Sequence, residues 1–402
     1  VHLPEDLMTD RLRLALITTI WEYRSHANHM GARFLNGYPR RGRWHRPDME
    51  IAGVYVDQVT DGDDLSRRHA ETHGFGVYET IAEALRLGGD RLAVDGVLLI
   101  GEHGDYPVND KGQKLYPRYE FFEQILDVFR ADGRAVPVFN DKHLSYSFEK
   151  ARRMVEASRE LEFPLLAGSS LPVTYRLPPV ELPLGCGVAE ALMVGCGNSD
   201  AMDYHALEAM QCMIERRRGG ETGVAAVQYL AGEEVWRAGD DGRWSWQLLE
   251  AAVSRSDTPC GATLEDGRTQ DLVGSGEVKR LAEKPEAYLI EFRDGLRATL
   301  LLINGAIRDC CFAAQLRGDE DPVSTQIFLT PVPPVTYSAA LVAKIVETIV
   351  TGEAAFPAER TLTVNGIQEA CLRSKGQGGE RLETPHLAVT YRPPAASHHA
   401  RR

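Results

Sequence analysis

Arg13-Leu14-Ala15-Leu16-Ile17-Thr18-Thr19 is the stretch that sets the fold. An unbroken apolar run of this length suits a strand covered on both faces and is too short for a helix. Ser25 follows as a natural cap, so a helix is expected over 26–35. The same succession repeats outward. Residues 51–57 read as a second buried strand ending on an acid, with helices over 65–73 and 81–87 after it. Residues 95–100 form a third strand, followed by an amphipathic helix over 117–130. Residues 136–140 form a fourth, followed by a helix over 147–159. Strands alternating with helices predict a parallel sheet built from βαβ crossovers. Such sheets bind ligands beyond the carboxyl ends of their strands, so chemistry is expected there.

The pattern changes after residue 165. Residues 168–187, rich in Gly, Ser and Pro, read as a link. Gly185-Cys186-Gly187 and Gly195-Cys196-Gly197-Asn198 read as turns. A helix is expected over 202–217. Alternating segments at 224–230, 287–292, 297–303 and 311–316 then predict an antiparallel sheet, with Arg293-Asp294-Gly295 as a hairpin turn. Helices are expected over 338–351 and 364–372, and residues 1–11 read as an arm. The expected class is α/β. A Rossmann-type parallel-sheet domain covers 1–165, an α+β domain with a large open, mainly antiparallel sheet covers 166–392, and 393–402 is a flexible tail.

The chain has 402 residues, room for two domains, and its 43% apolar and 26% charged residues place it in the globular class. A net charge of −13 speaks against a nucleic-acid partner, which requires a concentrated basic surface. The one basic run, Arg40-Arg41-Gly42-Arg43-Trp44-His45-Arg46, reads as a solvated loop, with an anion or subunit contact as its other use. The cysteines number seven and none are in C-x-x-C spacing, which implies reduced thiols and a cytoplasmic protein. No apolar run reaches the roughly 18 residues of a membrane span. Glu5, Asp6 and Asp10 precede the first apolar run, where a signal peptide would be basic. A small-molecule substrate is expected, with no nucleic acid and no membrane. Trp236, Trp244 and Trp246 read as packing rather than as a sugar platform.

Three points resemble the Gfo/Idh/MocA oxidoreductase family. Phe139-Asn140-Asp141-Lys142-His143-Leu144-Ser145, ahead of a helix start, is similar to that family's E-K-P segment, which puts Lys142 on its catalytic lysine. Asp203-Tyr204-His205-Ala206-Leu207-Glu208 resembles its G-x-H-x-x-D stretch, which puts His205 on its catalytic histidine and Glu208 on the acid one turn later. Asp57 ends the second strand where the family has an acid near the adenosine ribose. The resemblance implies an NAD- or NADP-dependent oxidoreductase acting on a sugar, polyol or related hydroxylated molecule. Lys142 would stabilise oxyanion charge and His205 would be the acid/base, with Asp203 and Glu208 orienting it. Glu102 and His103 are further catalytic candidates. Thr19, Arg24, Ser25, Asp57 and Asp141 are the cofactor-binding candidates. The family's second sheet often joins subunits, so the resemblance also implies a homo-oligomer.

The chain departs from that pattern where the cofactor would lie. From Thr18 the first strand-to-helix turn reaches Gly31 before meeting a glycine, whereas a dinucleotide fold places glycines in the turn. A helix N-terminus with Ser25 and Arg24 remains as a phosphate site. The third strand leads into Gly101-Glu102-His103-Gly104-Asp105-Tyr106-Pro107 and an inserted loop over 108–115. Asp141 and His143 replace the glutamate and proline of E-K-P. Imidazole and carboxylate together suit zinc, manganese or iron. The alternative expectation is therefore a nucleotide-independent, metal-dependent lyase, hydrolase or isomerase. Its ligands would come from His26, His29, Glu102, His103, Asp105 and His143, and its metal would be zinc or manganese. Hydrogen bonding among these side chains is the plain alternative to both, and a non-catalytic binding protein is a third reading.

Overall fold

The structure is a computed structural model that describes residues 11–60, 62–197, 200–261, 271–329 and 337–401. The first half runs β1 (Leu12–Thr18), α1 (His26–Asn36), β2 (Tyr38–Arg40), β3 (Arg43–His45), β4 (Met49–Val56), α2 (Ser66–His73), β5 (Gly76–Tyr78), α3 (Ile81–Arg86), β6 (Gly96–Ile100), α4 (Arg118–Asp132), β7 (Val138–Asp141), α5 (Phe148–Glu160) and β8 (Leu165–Gly168). Six of these strands form an all-parallel sheet in the order β5-β4-β1-β6-β7-β8. The order reverses between β1 and β6, which makes the crevice beyond their carboxyl ends the topological switch point. Leu14, Ala15, Leu16 and Ile17 are all fully buried, as a strand covered on both faces requires. Ser25 caps α1 by accepting from the Asn28 amide, and Thr80 with Glu83 forms a capping box on α3.

The chain continues as β9 (Arg176–Leu177), β10 (Val188–Gly195), α6 (Met202–Ile214), β11 (Val224–Ala231), α7 (Glu233–Asp240), α8 (Trp246–Val253), α9 (Glu277–Leu281), β12 (Glu286–Phe292), β13 (Arg297–Leu302), β14 (Cys310–Leu316), β15 (Val323–Ile327), α10 (Ser338–Thr351), α11 (Ala358–Gly376) and β16 (Leu382–Glu383). An eight-stranded sheet in the order β16-β11-β12-β13-β10-β14-β15-β9 results, antiparallel except where β10 runs parallel to β13. Its central strand, β10, lies between the two Gly-Cys stretches read as turns. Those glycines mask a buried apolar run, and the residues between them pair on both sides.

Three placements go beyond the sequence expectations. Helix α10 forms where expected but returns to the first sheet, where Leu341, Val342 and Ile345 pack with Leu14, Leu16 and Trp21. The second sheet is covered on both faces. Helices α6 and α11 lie on one side, while Trp236, Trp244, Leu248 and Leu249 of the α7–α8 segment bury against Leu192, Val194 and Leu301 on the other. Helices of this chain thus lie on both faces of the sheet through which subunits were expected to join. The tail, expected to be flexible, is docked. Arg216 donates to the carbonyls of Pro394 and Ala395, the Ser397 amide to Glu181, and the Ala400 amide to the Val173 carbonyl. These bonds satisfy backbone groups that a frayed tail would leave to water. Among the described residues no helix is long and apolar enough to cross a membrane.

Candidate active site

The ends of β6 and β7 meet around a buried ion cluster. Glu102 follows β6 and is 6% exposed. Its Oε1 accepts from Lys142 Nζ at 3.1 Å, and its Oε2 is bonded by the Arg118 guanidinium. Arg118 opens α4 and passes beneath Gly101, where a Cβ would come within 2.7 Å of the arginine Cγ. Burial alone would raise the Glu102 carboxyl, but the cations of Lys142 and Arg118 overcome this and hold it well below the usual range. Glu102 thus anchors Lys142, and the resemblance gave no hint of Arg118 as the second cation. The Lys142–His143 peptide is cis, and the Asn140 amide braces the turn by donating to the carbonyls of Asp141 (2.6 Å) and His143 (3.0 Å).

Three histidines converge in front of this cluster. His26, the first residue of α1, is bonded through Nδ1 to Asp141 Oδ2 at 2.6 Å, so its side chain crosses the switch point from β1 to β7. A carboxylate partner puts a hydrogen on Nδ1. His103 lies edge-on to it at 5.1 Å between ring centres, and His205 lies at 6.4 Å. His205 is held through Nδ1 by Ser169 Oγ at 2.5 Å. Burial, then the charges of Lys142 and His26, push the His205 imidazole well below its ordinary value, so it is neutral near pH 7. Burial likewise lowers His103 and His29 to about 4.

Asp203 and Glu208 do not orient His205. The Asp203 carboxylate is fully buried and accepts from Tyr288 Oη (2.7 Å), Gln368 Nε2 (2.9 Å) and the Tyr204 amide (2.7 Å). Glu208 accepts from the Ser169 amide at 2.5 Å and faces Thr361 Oγ1 at 2.6 Å, while Thr361 can donate to the Ala167 carbonyl at 2.9 Å. Burial pushes Glu208 up to about 7. Thr361 Oγ1 and the Ser169 amide donate to the carboxyl and oppose that rise. The orienting role falls to Ser169, in the segment read as a link. A Ser-Ser pair just past a strand end was the one signal for it.

The metal set is not assembled. Among the described residues no three His, Cys, Asp or Glu side chains gather as ligands. Both Glu102 oxygens are committed to cations, and Asp105 is exposed on the rim, its backbone paired with the Gln58 amide. His143 lies edge-on to Tyr204 at 4.2 Å and close to Arg118.

A cleft of about 510 Å³ lies at the switch point, lined by Ile20, Arg24, Ser25, Gln58, His103 and Asp105 among others. His103 Nε2 has no hydrogen-bond partner among the described residues. The glycine turn is replaced by a wide loop folded around Trp21, which is fully buried and stacked on Phe75. Gly31 is the residue that lets this ring in, since a Cβ there would come within 2.9 Å of Leu16 and 3.1 Å of Trp21. Thr19, a cofactor candidate, is instead fully buried and donates to the Glu102 carbonyl at 2.7 Å. Asp57 is exposed at the end of β4 and accepts from Tyr55 (2.8 Å) and Tyr106 (2.7 Å).

No family model and no curated protein sequence matches this chain. Solved structures do. GenD2 from gentamicin A biosynthesis, in complex with NAD, superposes with a TM-score of 0.56 at 15% identity, covering 95% of this chain and 99% of that one. The myo-inositol dehydrogenase of Lactobacillus casei, in complex with NAD(H) and myo-inositol, gives 0.54 at 11% identity, covering 93% and 96%. The myo-inositol 2-dehydrogenase of Lactobacillus plantarum gives 0.53 at 10% identity, covering 93% and 99%. A parallel switch-point sheet followed by a large mixed sheet, matched over nearly the whole length of these dehydrogenases, is the Gfo/Idh/MocA fold, and this chain has it.

Proposed function

We propose that this chain is an NAD(P)-dependent oxidoreductase that acts on a sugar, polyol or related hydroxylated molecule in the cytoplasm. The observation that carries the reading is that His205, from the second half of the chain, lies 6.4 Å from the His26 ring, while Lys142 is held by Glu102, next in the chain to His103, which lines the cleft at the switch point. The like-folded proteins solved with NAD or NAD(H) support it, as do seven unpaired cysteines for the compartment. The cleft suits a dinucleotide in three respects. The first turn of α1 carries no acid, Arg24 and Ser25 stand at its N-terminus, and His103 offers an unpartnered ring nitrogen. When bound, the nicotinamide supplies the hydride acceptor.

The chain's own residues handle the proton. Neutral His205, its Nδ1–H donated to Ser169, presents Nε2 as the base for the substrate hydroxyl. The Lys142 ammonium, fixed by Glu102, stabilises the developing alkoxide. His26, tethered to Asp141, adds a second imidazole facing the same crevice.

The test is fluorescence titration with NADH and NADPH, followed by turnover assays on a panel of polyols and sugars. Lys142→Met and His205→Ala are expected to bind nucleotide but to lose turnover by on the order of 10²–10⁴-fold. Absence of nucleotide binding in the wild type, or wild-type turnover in either variant, rejects the assignment.

A further inference from the structure

The docked tail closes a second cavity of about 700 Å³, which shares no lining residue with the switch-point cleft. It lies between the β2–β3 hairpin, α10 and residues 398–401. One wall is a stripe of methyl groups, Ala339, Ala340 and Ala343 of α10, continued by Val173 and the ring of Tyr175. The remaining wall is cationic, with Arg40 and Arg41 from the hairpin, Lys344 from α10 and Arg401 from the tail. In a chain of net charge −13, four cations brought from three distant segments to one cavity are not a reflection of composition.

Two of these cations are already engaged by carboxylates. Lys344 is paired with Glu347 at 2.7 Å, and Arg401 is paired with Glu181. Arg40 and Arg41 have no carboxylate partner among the described residues. His399 also lines the cavity. It is 6% exposed, and its Nδ1 lies 2.7 Å from Ser397 Oγ while its Nε2 has no partner among the described residues. With Nδ1 accepting from the serine, Nε2 carries the hydrogen and is a buried donor in want of an acceptor. Guanidinium pairs and an unspent N–H donor match phosphate oxygens, and a methyl-lined wall matches a flat apolar body.

We propose that this cavity binds an organic phosphate ester with a flat apolar group. The test is isothermal calorimetry of the full chain with phenyl phosphate, using phenol and inorganic phosphate as controls. Phenyl phosphate is expected to bind saturably, one per chain, more tightly than either control, and more weakly as salt is added. The Arg40→Ala/Arg41→Ala variant, altered on a solvent-facing hairpin, is expected to lose affinity about tenfold or more. Ala340→Phe, which fills the cavity, is expected to abolish binding while the circular-dichroism melt stays cooperative. No saturable heat with phenyl phosphate at concentrations up to about 10 mM, or the same affinity in both variants, overturns the proposal. Equal affinity for inorganic phosphate overturns the apolar half of it. The probe contains no nucleotide, so these outcomes are independent of whether the crevice binds one.

Discussion

Single side chains show how the environment redirects residues that a motif assigns to chemistry. Glu208 occupies the acid position of the histidine motif, yet its burial raises it to about 7, against the Thr361 and Ser169 hydrogen bonds that favour the charged form. Its folded value lies above the ordinary 4.5, so the fold binds a proton that the unfolded chain releases between those values. The stabilising contribution is complete below 4.5 and is lost as pH rises through about 7. Glu208→Gln, whose amide can donate to Thr361 and whose carbonyl can accept from Ser169, is therefore expected to match the wild type near pH 4.5 and to exceed it by on the order of 2 kcal/mol near pH 8. Denaturant melts at the two values check this, and a variant less stable than wild type near pH 8 would show that Glu208 works as a carboxylate. Glu102 is the opposite case, a buried carboxylate kept ionised by two cations, and it serves Lys142 rather than a metal.

The β1–α1 turn shows the same redirection in an element. A dinucleotide fold keeps glycines there so that the backbone comes close to the pyrophosphate. Here Trp21 fills the space beneath the turn, between Leu16, Gly31 and Phe75. Trp21→Gly restores a glycine to the turn but empties a core position. It is expected to cost about 3–5 kcal/mol in unfolding free energy, with no gain in nucleotide affinity. A tighter NADH titration in a stable Trp21→Gly protein would mean that the ring obstructs the cofactor instead of shaping its loop. Strand β10 carries a related lesson. Paired glycines at both ends suggested turns, but the residues between them form the middle of the second sheet because both neighbours offer them a ladder.

Across the whole molecule, the described residues cover both faces of the second sheet with helices. Helices α7 and α8 bury their tryptophans on one side of the sheet expected to join subunits, so a contact on that side would be made through these helices. Gln247→Arg, on the exposed side of α8, is expected to leave the sedimentation mass of the protein unchanged. A shift to a smaller species in that variant would place α8 in a subunit interface after all. The two sheets are linked through α10 and the docked tail as well as through the crevice, so the C-terminal residues help to shape the first unit.

The sequence by itself determined the parallel sheet and the order of its strands and helices, because burial on both faces and capping leave local marks at fixed spacing. The tertiary structure alone decided what each polar group near them does. Ser169 displaced Asp203 and Glu208 as the partner of His205, Arg118 joined Lys142 on Glu102, His26 reached Asp141 across the switch point, and the tail closed a cationic cavity. These pairings join residues far apart in the chain, and the strength of each depends on burial and on the neighbouring charges. Neither is set by spacing along the sequence.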